Sequence, residues 1–210
     1  MSKKFIFAAL AATLALILAV PAAKADGVQV TLTGVSGGSA NGVDTSPYFA
    51  TVNGTANVPV VCDDFFHEVY IGETWTATVN TFATLDQARF QGADAAATLL
   101  MYEEAAFLIE QLAANPQDSG DISFAIWSIF SSGVPATVNS AAWLTLAQDQ
   151  TYTPGEFSSF EILTPTDSSA GSAQEYIVNT PEPASMLLLG SGLLALGSWR
   201  RRTSRLSQAA

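Results

Sequence analysis

Residues 94–116, DAAATLLMYEEAAFLIEQLAANP, decide the fold that this sequence predicts. Their apolar side chains recur at the spacing of one helix face: Ala96, Leu99, Leu100, Ala106, Phe107, Ile109 and Leu112. Asn115-Pro116 ends the pattern, because proline has no N–H to donate and restricts the residue before it. These residues are therefore expected to form one long helix that begins near Asp94 and ends before Pro116.

Two shorter helices are expected after this one. Ser119 or Asp121 can cap a second helix that ends at Gly133, and Asn139 can cap a third. Strand-like alternation flanks the three helices, at residues 28–35, 74–82, 160–163 and 176–178. A further strand is expected from residue 58 through Cys62 to His67. The pattern predicts an α+β fold in which strands, arranged as a sandwich or barrel-like, flank a helical insertion of about three helices.

The N-terminal segment has the features of a signal peptide. Lys3 and Lys4 precede an apolar stretch, residues 5–20, that Pro21 ends. The small residues Ala23 and Ala25 then present a signal-peptidase site, with cleavage before Asp26. Residues 1–25 are therefore expected to be removed; the alternative is a retained membrane helix.

The C-terminal segment combines a proline-rich stretch, a short apolar run and a basic cluster. The run, residues 186–199, is shorter than the roughly 20 apolar residues of a full membrane span and contains three glycines. It can enter a bilayer but is a marginal permanent anchor. The residues on either side of it are Pro181, Glu182 and Pro183 before the run, and Arg200, Arg201 and Arg202 after it. The arginines are expected to stop transfer by staying on the cytoplasmic side.

This order of parts resembles the PEP-CTERM sorting signal of exported bacterial proteins. The resemblance implies that exosortase, a membrane protease-transpeptidase, recognises residues 180–210 and removes the hydrophobic tail. The alternative is a plain anchor that is never processed. Both chain ends are then hydrophobic targeting helices, and residues 26–179 form one exported domain, large enough for a proper core.

Charge separates this domain from its targeting segments. Residues 26–179 contain 18 acidic residues and one basic residue, Arg89. A domain so poor in cations cannot neutralise phosphates, so nucleic acid is excluded as a partner. The acids are scattered, with only Asp63-Asp64 and Glu103-Glu104 adjacent, and there is no calcium-loop motif. No metal site and no cofactor are predicted.

Cys62 is the only cysteine, so the domain is not held by internal disulfides. On a continuous strand His67 would lie roughly 16 Å from it, on the opposite face, which argues against a Cys–His catalytic pair. The neighbouring Asp63 and Asp64 would raise the pKa of the thiol. We expect a buried, unreactive cysteine.

The stretch around Cys62, followed by a helical insert and Ala125-Ile126-Trp127, resembles the thioester domains of bacterial surface adhesins. In that family a cysteine condenses with a glutamine two residues before the Ala-Ile-Trp. Here that position is Ser123, which has no amide to lose, so the resemblance implies a scaffold without the cross-link.

Three function classes follow from these features. The first is a non-catalytic cell-surface or extracellular-matrix protein, processed by signal peptidase and exosortase and associated with an extracellular polysaccharide. The second is an adhesion module of degenerate thioester type. The third is a secreted hydrolase with carboxylates brought together by the fold, such as Asp63 or Asp64 with Glu103 or Glu104. Motifs for other enzyme classes are missing from the sequence.

Overall fold

A computed structural model describes residues 27–168, 172–180 and 192. Six antiparallel strands close into a barrel in the order β1-β4-β5-β8-β7-β6, and β2 and β3 form a separate small hairpin. The strands are β1 (Val28–Val35), β2 (Ser39–Ala40), β3 (Val43–Asp44), β4 (Tyr48–Val52), β5 (Thr55–Cys62), β6 (Thr74–Thr81), β7 (Phe160–Pro165) and β8 (Tyr176–Asn179). The fold is mixed α+β, as predicted, and the barrel decides between the two expected strand arrangements.

The barrel wall follows from alternating side chains and a tight turn. Along β1, Val30 and Leu32 are buried, whereas the Thr31 hydroxyl lies 2.7 Å from that of Thr74 on the outer face. Asn53-Gly54 joins β4 to β5 with positive φ at both residues, 46° and 83°. An Asn-Gly pair of this kind matches the twist of a two-residue hairpin. Local sequence therefore sets the pairing of β4 with β5.

The three helices lie between β6 and β7, where the sequence predicted them. They are α1 (Ala95–Ala114), α2 (Ser119–Phe130) and α3 (Ser140–Gln148), with a short 3-10 turn, Pro116–Asp118, before α2. The Asp94 side chain caps α1 by accepting from the backbone N–H groups of Ala96 and Ala97.

The sequence predicted the residue that precedes α3 correctly and the residue that precedes α2 wrongly. Asp118 occupies the position before α2, so neither Ser119 nor Asp121 caps that helix. The preceding 3-10 turn carries the chain directly into it. Asn139 does precede α3, but its amide donates to Asp121 at 3.0 Å instead of capping its own helix.

The strand expected to continue to His67 ends at Cys62. Residues 63–73, here called the β5–β6 loop, contain no strand. The chain turns because the Asp64 carboxylate accepts from the backbone N–H of His67 at 3.3 Å and lies 2.9 Å from its Nδ1. The prediction of a continuous strand was wrong because a local carboxylate bond replaces strand pairing.

Helix α2 connects the two halves of the core. Every residue from Ile122 to Trp127 is buried. Ile122, Ala125 and Ile126 pack among the helices and against β7 and β8, whereas Phe124 and Trp127 pack with the barrel interior. A helix whose successive residues are all buried is packed on every side, as a central element of a fold is. Docking of α2 therefore couples the helical insertion to the barrel.

The described residues include no helix with both the length and the apolar character required to cross a membrane. The two predicted targeting helices lie outside the described residues, apart from Gly192.

Replacing Phe124 with alanine should lower the free energy of unfolding by about 3–5 kcal/mol, because it leaves a cavity at this junction. The Phe124 ring centroid lies 4.9 Å from that of Trp127 and 5.9 Å from that of Phe65. Urea unfolding measures the loss. Val138→Ala is the control, since Val138 is 94% exposed, and should stay within about 0.5 kcal/mol. Equal effects of the two variants would contradict the role of α2.

Candidate functional site

Three residues with ionisable side chains, at the end of β5 and just after it, lie in the protein interior. Cys62, Asp63 and Asp64 are 0%, 0% and 2% exposed. Cys62 pairs with Tyr176 of β8, and the indole Nε1 of Trp127 donates to its carbonyl oxygen at 3.0 Å. Barrel pairing on one side and α2 on the other therefore fix this segment.

Ser46 connects Cys62 to Ser123, the two residues expected from the thioester resemblance. The Cys62 backbone N–H donates to Ser46 Oγ at 3.2 Å, and the Ser46 backbone N–H donates to Ser123 Oγ at 3.0 Å. The fold thus brings the two residues into one hydrogen-bond network. Ser123 serves there as an acceptor for a backbone group.

The Cys62 thiol is free, and its pKa is raised well above the ordinary value. Burial is the main cause, and the charge of Asp63 adds to it. Sγ also lies 3.2 Å from the Asp64 carbonyl oxygen, to which it donates. A buried thiol in this state is a poor nucleophile.

Asp64 forms a buried ion pair with Arg89, the only Lys or Arg among the described residues. Arg89 Nη1 donates to Asp64 Oδ2, and Nη2 donates to Ser172 Oγ at 3.0 Å. His67 approaches the same carboxylate from the β5–β6 loop. The only lysine or arginine of the domain is therefore paired with groups in the interior and does not serve as a surface charge.

Glu175, just before β8, accepts three hydrogen bonds while fully buried. The Tyr102 hydroxyl donates to Oε1 at 2.6 Å, and the Arg89 backbone N–H donates to Oε2 at 2.8 Å. The Thr164 hydroxyl also donates to Oε2, and Asn80 donates to Thr164 at 2.9 Å. These contacts join α1, β6, β7 and the segment before β8. Burial, followed by the charge of Glu175, raises the pKa of Tyr102, which keeps it a donor.

Asp63 lies in the same buried cluster as Asp64, Arg89 and Glu175, and it accepts fewer hydrogen bonds than the other two carboxyl groups. No N–H or hydroxyl group of the described residues donates to either of its carboxylate oxygens, and the Glu175 carboxylate lies close enough to share a proton with it. Burial is the main cause that raises its pKa well above the ordinary value, and the charges of Glu175 and Asp64 raise it further. The protonated form of Asp63 is therefore favoured more strongly than that of an ordinary aspartate, which reduces the negative charge that this buried cluster has to hold.

The carboxyl groups of this cluster are buried: Asp63, Asp64 and Glu175 are each at most 2% exposed. None of three grooves on the described part of the chain is lined by Asp63, Asp64 or Glu175. Glu103 and Glu104 do not join them: the charged neighbour that raises the pKa of Glu103, after burial, is Glu156. In the described ranges, no three His, Cys, Asp or Glu side chains are arranged to hold a metal ion.

Sequence reasoning missed Glu175, Tyr102 and Arg89 as members of one cluster. Glu175 and Asp63 are 112 positions apart in the numbering, so no local pattern connects them. Arg89 did carry a signal. A single cation among 18 acids is expected to be paired with one of them, although the sequence does not say which.

Two large aromatic side chains of the barrel strands, Tyr48 and Trp75, pack against the core. Tyr48 is 6% exposed, and Trp75 stacks on Tyr176 with ring centroids 5.8 Å apart. Among the described residues, the exposed aromatic side chains are Phe66 and Tyr70, both on the β5–β6 loop.

Comparison with known proteins adds a motif at the C-terminal end. A family model described as the PEP-CTERM protein-sorting motif matches residues 179–202. The chain carries a PEP-CTERM sorting motif. The match includes Pro181, Glu182 and Pro183, which lie outside the described residues, as do Arg200, Arg201 and Arg202 and the predicted signal-cleavage residues Ala23, Ala25 and Asp26. The motif implies export, sorting to the cell envelope and processing by exosortase.

No curated protein and no solved structure matches the chain. The resemblance of the domain to adhesin thioester domains is therefore not supported by a relative. The structure shows only that Cys62 and Ser123 both form hydrogen bonds with Ser46.

Replacing Asp63 with asparagine should change stability in a pH-dependent way. Folding raises the pKa of Asp63, so ionising this carboxyl costs more free energy in the folded protein than in the unfolded chain. The free energy of unfolding of the wild type therefore falls as the pH rises above the unfolded-state pKa of about 3.9. The asparagine side chain cannot ionise, so the variant escapes this loss. The stability difference in favour of Asp63→Asn should grow by up to about 1.4 kcal/mol per pH unit until the folded-state pKa is reached. Urea unfolding from pH 4 to 8 measures it, and a difference independent of pH would contradict the assignment.

Proposed function

We propose that this chain is a non-catalytic protein of the cell surface or extracellular matrix, delivered through the PEP-CTERM pathway. Signal peptidase removes residues 1–25. The short apolar run, residues 186–199, then holds the protein in the membrane transiently, until exosortase cuts near Pro181–Ala184. The observation that carries the proposal is the sorting motif at residues 179–202.

The end of the domain supports processing at this point. Strand β8 ends at Asn179, and Thr180 is tied to the Ser159 carbonyl oxygen through its N–H at 2.8 Å and its hydroxyl at 3.0 Å. All six barrel strands therefore precede Pro181. Cleavage within the motif would release a barrel with every strand in place.

The interior chemistry supports a role without catalysis. The Cys62 thiol is buried with a raised pKa, and Asp63 and Glu175 are both fully buried. An adhesion module of thioester type would need an amide where Ser123 stands. A hydrolase would need two carboxylates in an open cleft, which the buried cluster does not offer. An extracellular polysaccharide is the proposed environment of the processed protein.

The C-terminal peptide and intact mass of mature protein recovered from the producing cells test the proposal. We expect a chain that begins at Asp26 and ends between Pro181 and Ala184. Replacing Arg200, Arg201 and Arg202 with glutamine should leave unprocessed protein, because the basic stop is lost.

A peptide from residues 204–210 in mature wild-type protein would contradict the proposal and indicate a retained anchor. A body mass lower by one ammonia, with Cys62 resistant to labelling in denaturant, would instead indicate a thioester.

A further inference from the structure

Exposed apolar side chains gather at one place on the described surface. Of the seven large hydrophobic residues that are exposed, three belong to the β5–β6 loop: Phe66, Tyr70 and Ile71, at 61%, 69% and 64%. Val43 of β3, at 37%, faces the groove beside this loop. Single exposed apolar residues are ordinary, but Val43, Tyr70 and Ile71 line the same groove, and a group of this kind marks an interaction site.

The loop forms one wall of a groove of about 490 Å³. Its lining combines aliphatic and aromatic side chains with carboxylates from two different segments. The residues that matter here are Val43, Tyr48, Ile71 and Trp127 for the apolar part, and Asp44 and Glu68 for the charged part. A ligand for this groove has to satisfy both surfaces at once.

Hydrogen bonds hold the loop in a defined shape. The Gly72 N–H donates to the Leu32 carbonyl oxygen at 2.8 Å, which fastens the loop to β1. The Tyr70 N–H donates to the Glu73 carboxylate at 2.9 Å, and the Tyr70 hydroxyl donates to Glu68 Oε2 at 2.9 Å. The phenol ring and the Glu68 carboxylate are thus placed side by side. Preorganisation of this kind lowers the entropic cost of binding.

Charge decides the kind of partner. Arg89 is the only Lys or Arg in the described ranges, and it is already paired with Asp64 in the interior. The groove therefore presents carboxylates and aromatic side chains, and its only basic lining residue is His67, which is paired with Asp64. Both features attract a cation, the carboxylates by Coulomb attraction and the rings through their quadrupole.

We propose that this groove binds a segment of another protein in which lysine or arginine alternates with aliphatic side chains. The cationic groups lie against Glu68, Asp44 and Tyr70, and the aliphatic groups lie against Val43 and Ile71. The six-stranded barrel is closed, so the segment does not add a strand to that sheet. The inference is independent of how residues 180–210 are processed.

Titration of the mature protein with an acetylated, amidated peptide of alternating lysine and leucine tests this proposal. Calorimetry should show saturable binding that weakens with added salt. A peptide in which glutamine replaces every lysine should bind at least about tenfold more weakly. Glu68→Gln should weaken binding about fivefold, and Tyr70→Ala about tenfold, because it removes the ring and frees the Glu68 carboxylate.

Two matched variants separate the groove from the general acidity of the surface. Asp149→Asn makes the same charge change as Glu68→Gln, and Leu146→Ala removes an exposed apolar side chain; neither residue lines the groove. Both should bind the peptide like wild type.

Equal weakening by Asp149→Asn and Glu68→Gln would show attraction to the whole surface and overturn the proposal. Failure of the lysine peptide to bind would also overturn it. So would Tyr70-dependent binding of a neutral oligosaccharide such as cellopentaose in place of the peptide.

Discussion

The buried ion pair between Asp64 and Arg89 is the constraint on which the rest of this domain depends. Removing both charges from water is costly, and the pair is stable only because other groups satisfy it. Ser172 accepts from the guanidinium, and His67 approaches the carboxylate. The Arg89 backbone N–H meanwhile donates to Glu175. One residue therefore fixes the segment after β6 against the end of β5 and the start of β8.

This arrangement also explains how a strongly acidic domain presents its surface. Arg89 neutralises the buried Asp64 carboxylate, and burial raises the pKa of the neighbouring Asp63. Many of the other carboxylates are exposed, among them Glu68, Asp94 and Asp149, and this favours solubility and attraction of cationic partners. The last barrel strand ends at Asn179, which is also the first residue matched by the sorting motif. Stability and delivery therefore use separate parts of the chain.

The sequence predicted local elements well and their assembly poorly. Strand β1 matches its alternating pattern, and α1 begins after Asp94 and ends before Pro116, as the helical spacing indicated. These features depend on neighbours along the chain. Closure of the barrel depends on pairing between β5 and β8, and the acid cluster on Glu175, which is remote from Asp63 in sequence. The turn at His67 was missed because one Asp64 hydrogen bond overrides strand propensity.

The free energy of unfolding of Arg89→Met, Asp64→Asn and the double variant tests the central role of this pair most directly. Arg89→Met leaves Asp64 buried without its cation, so it should lose about 3–5 kcal/mol. The double variant removes both charges and should lose clearly less than the two single losses added together. Additive losses, or a loss in Arg89→Met below about 0.5 kcal/mol, would show that the pair does not organise the fold.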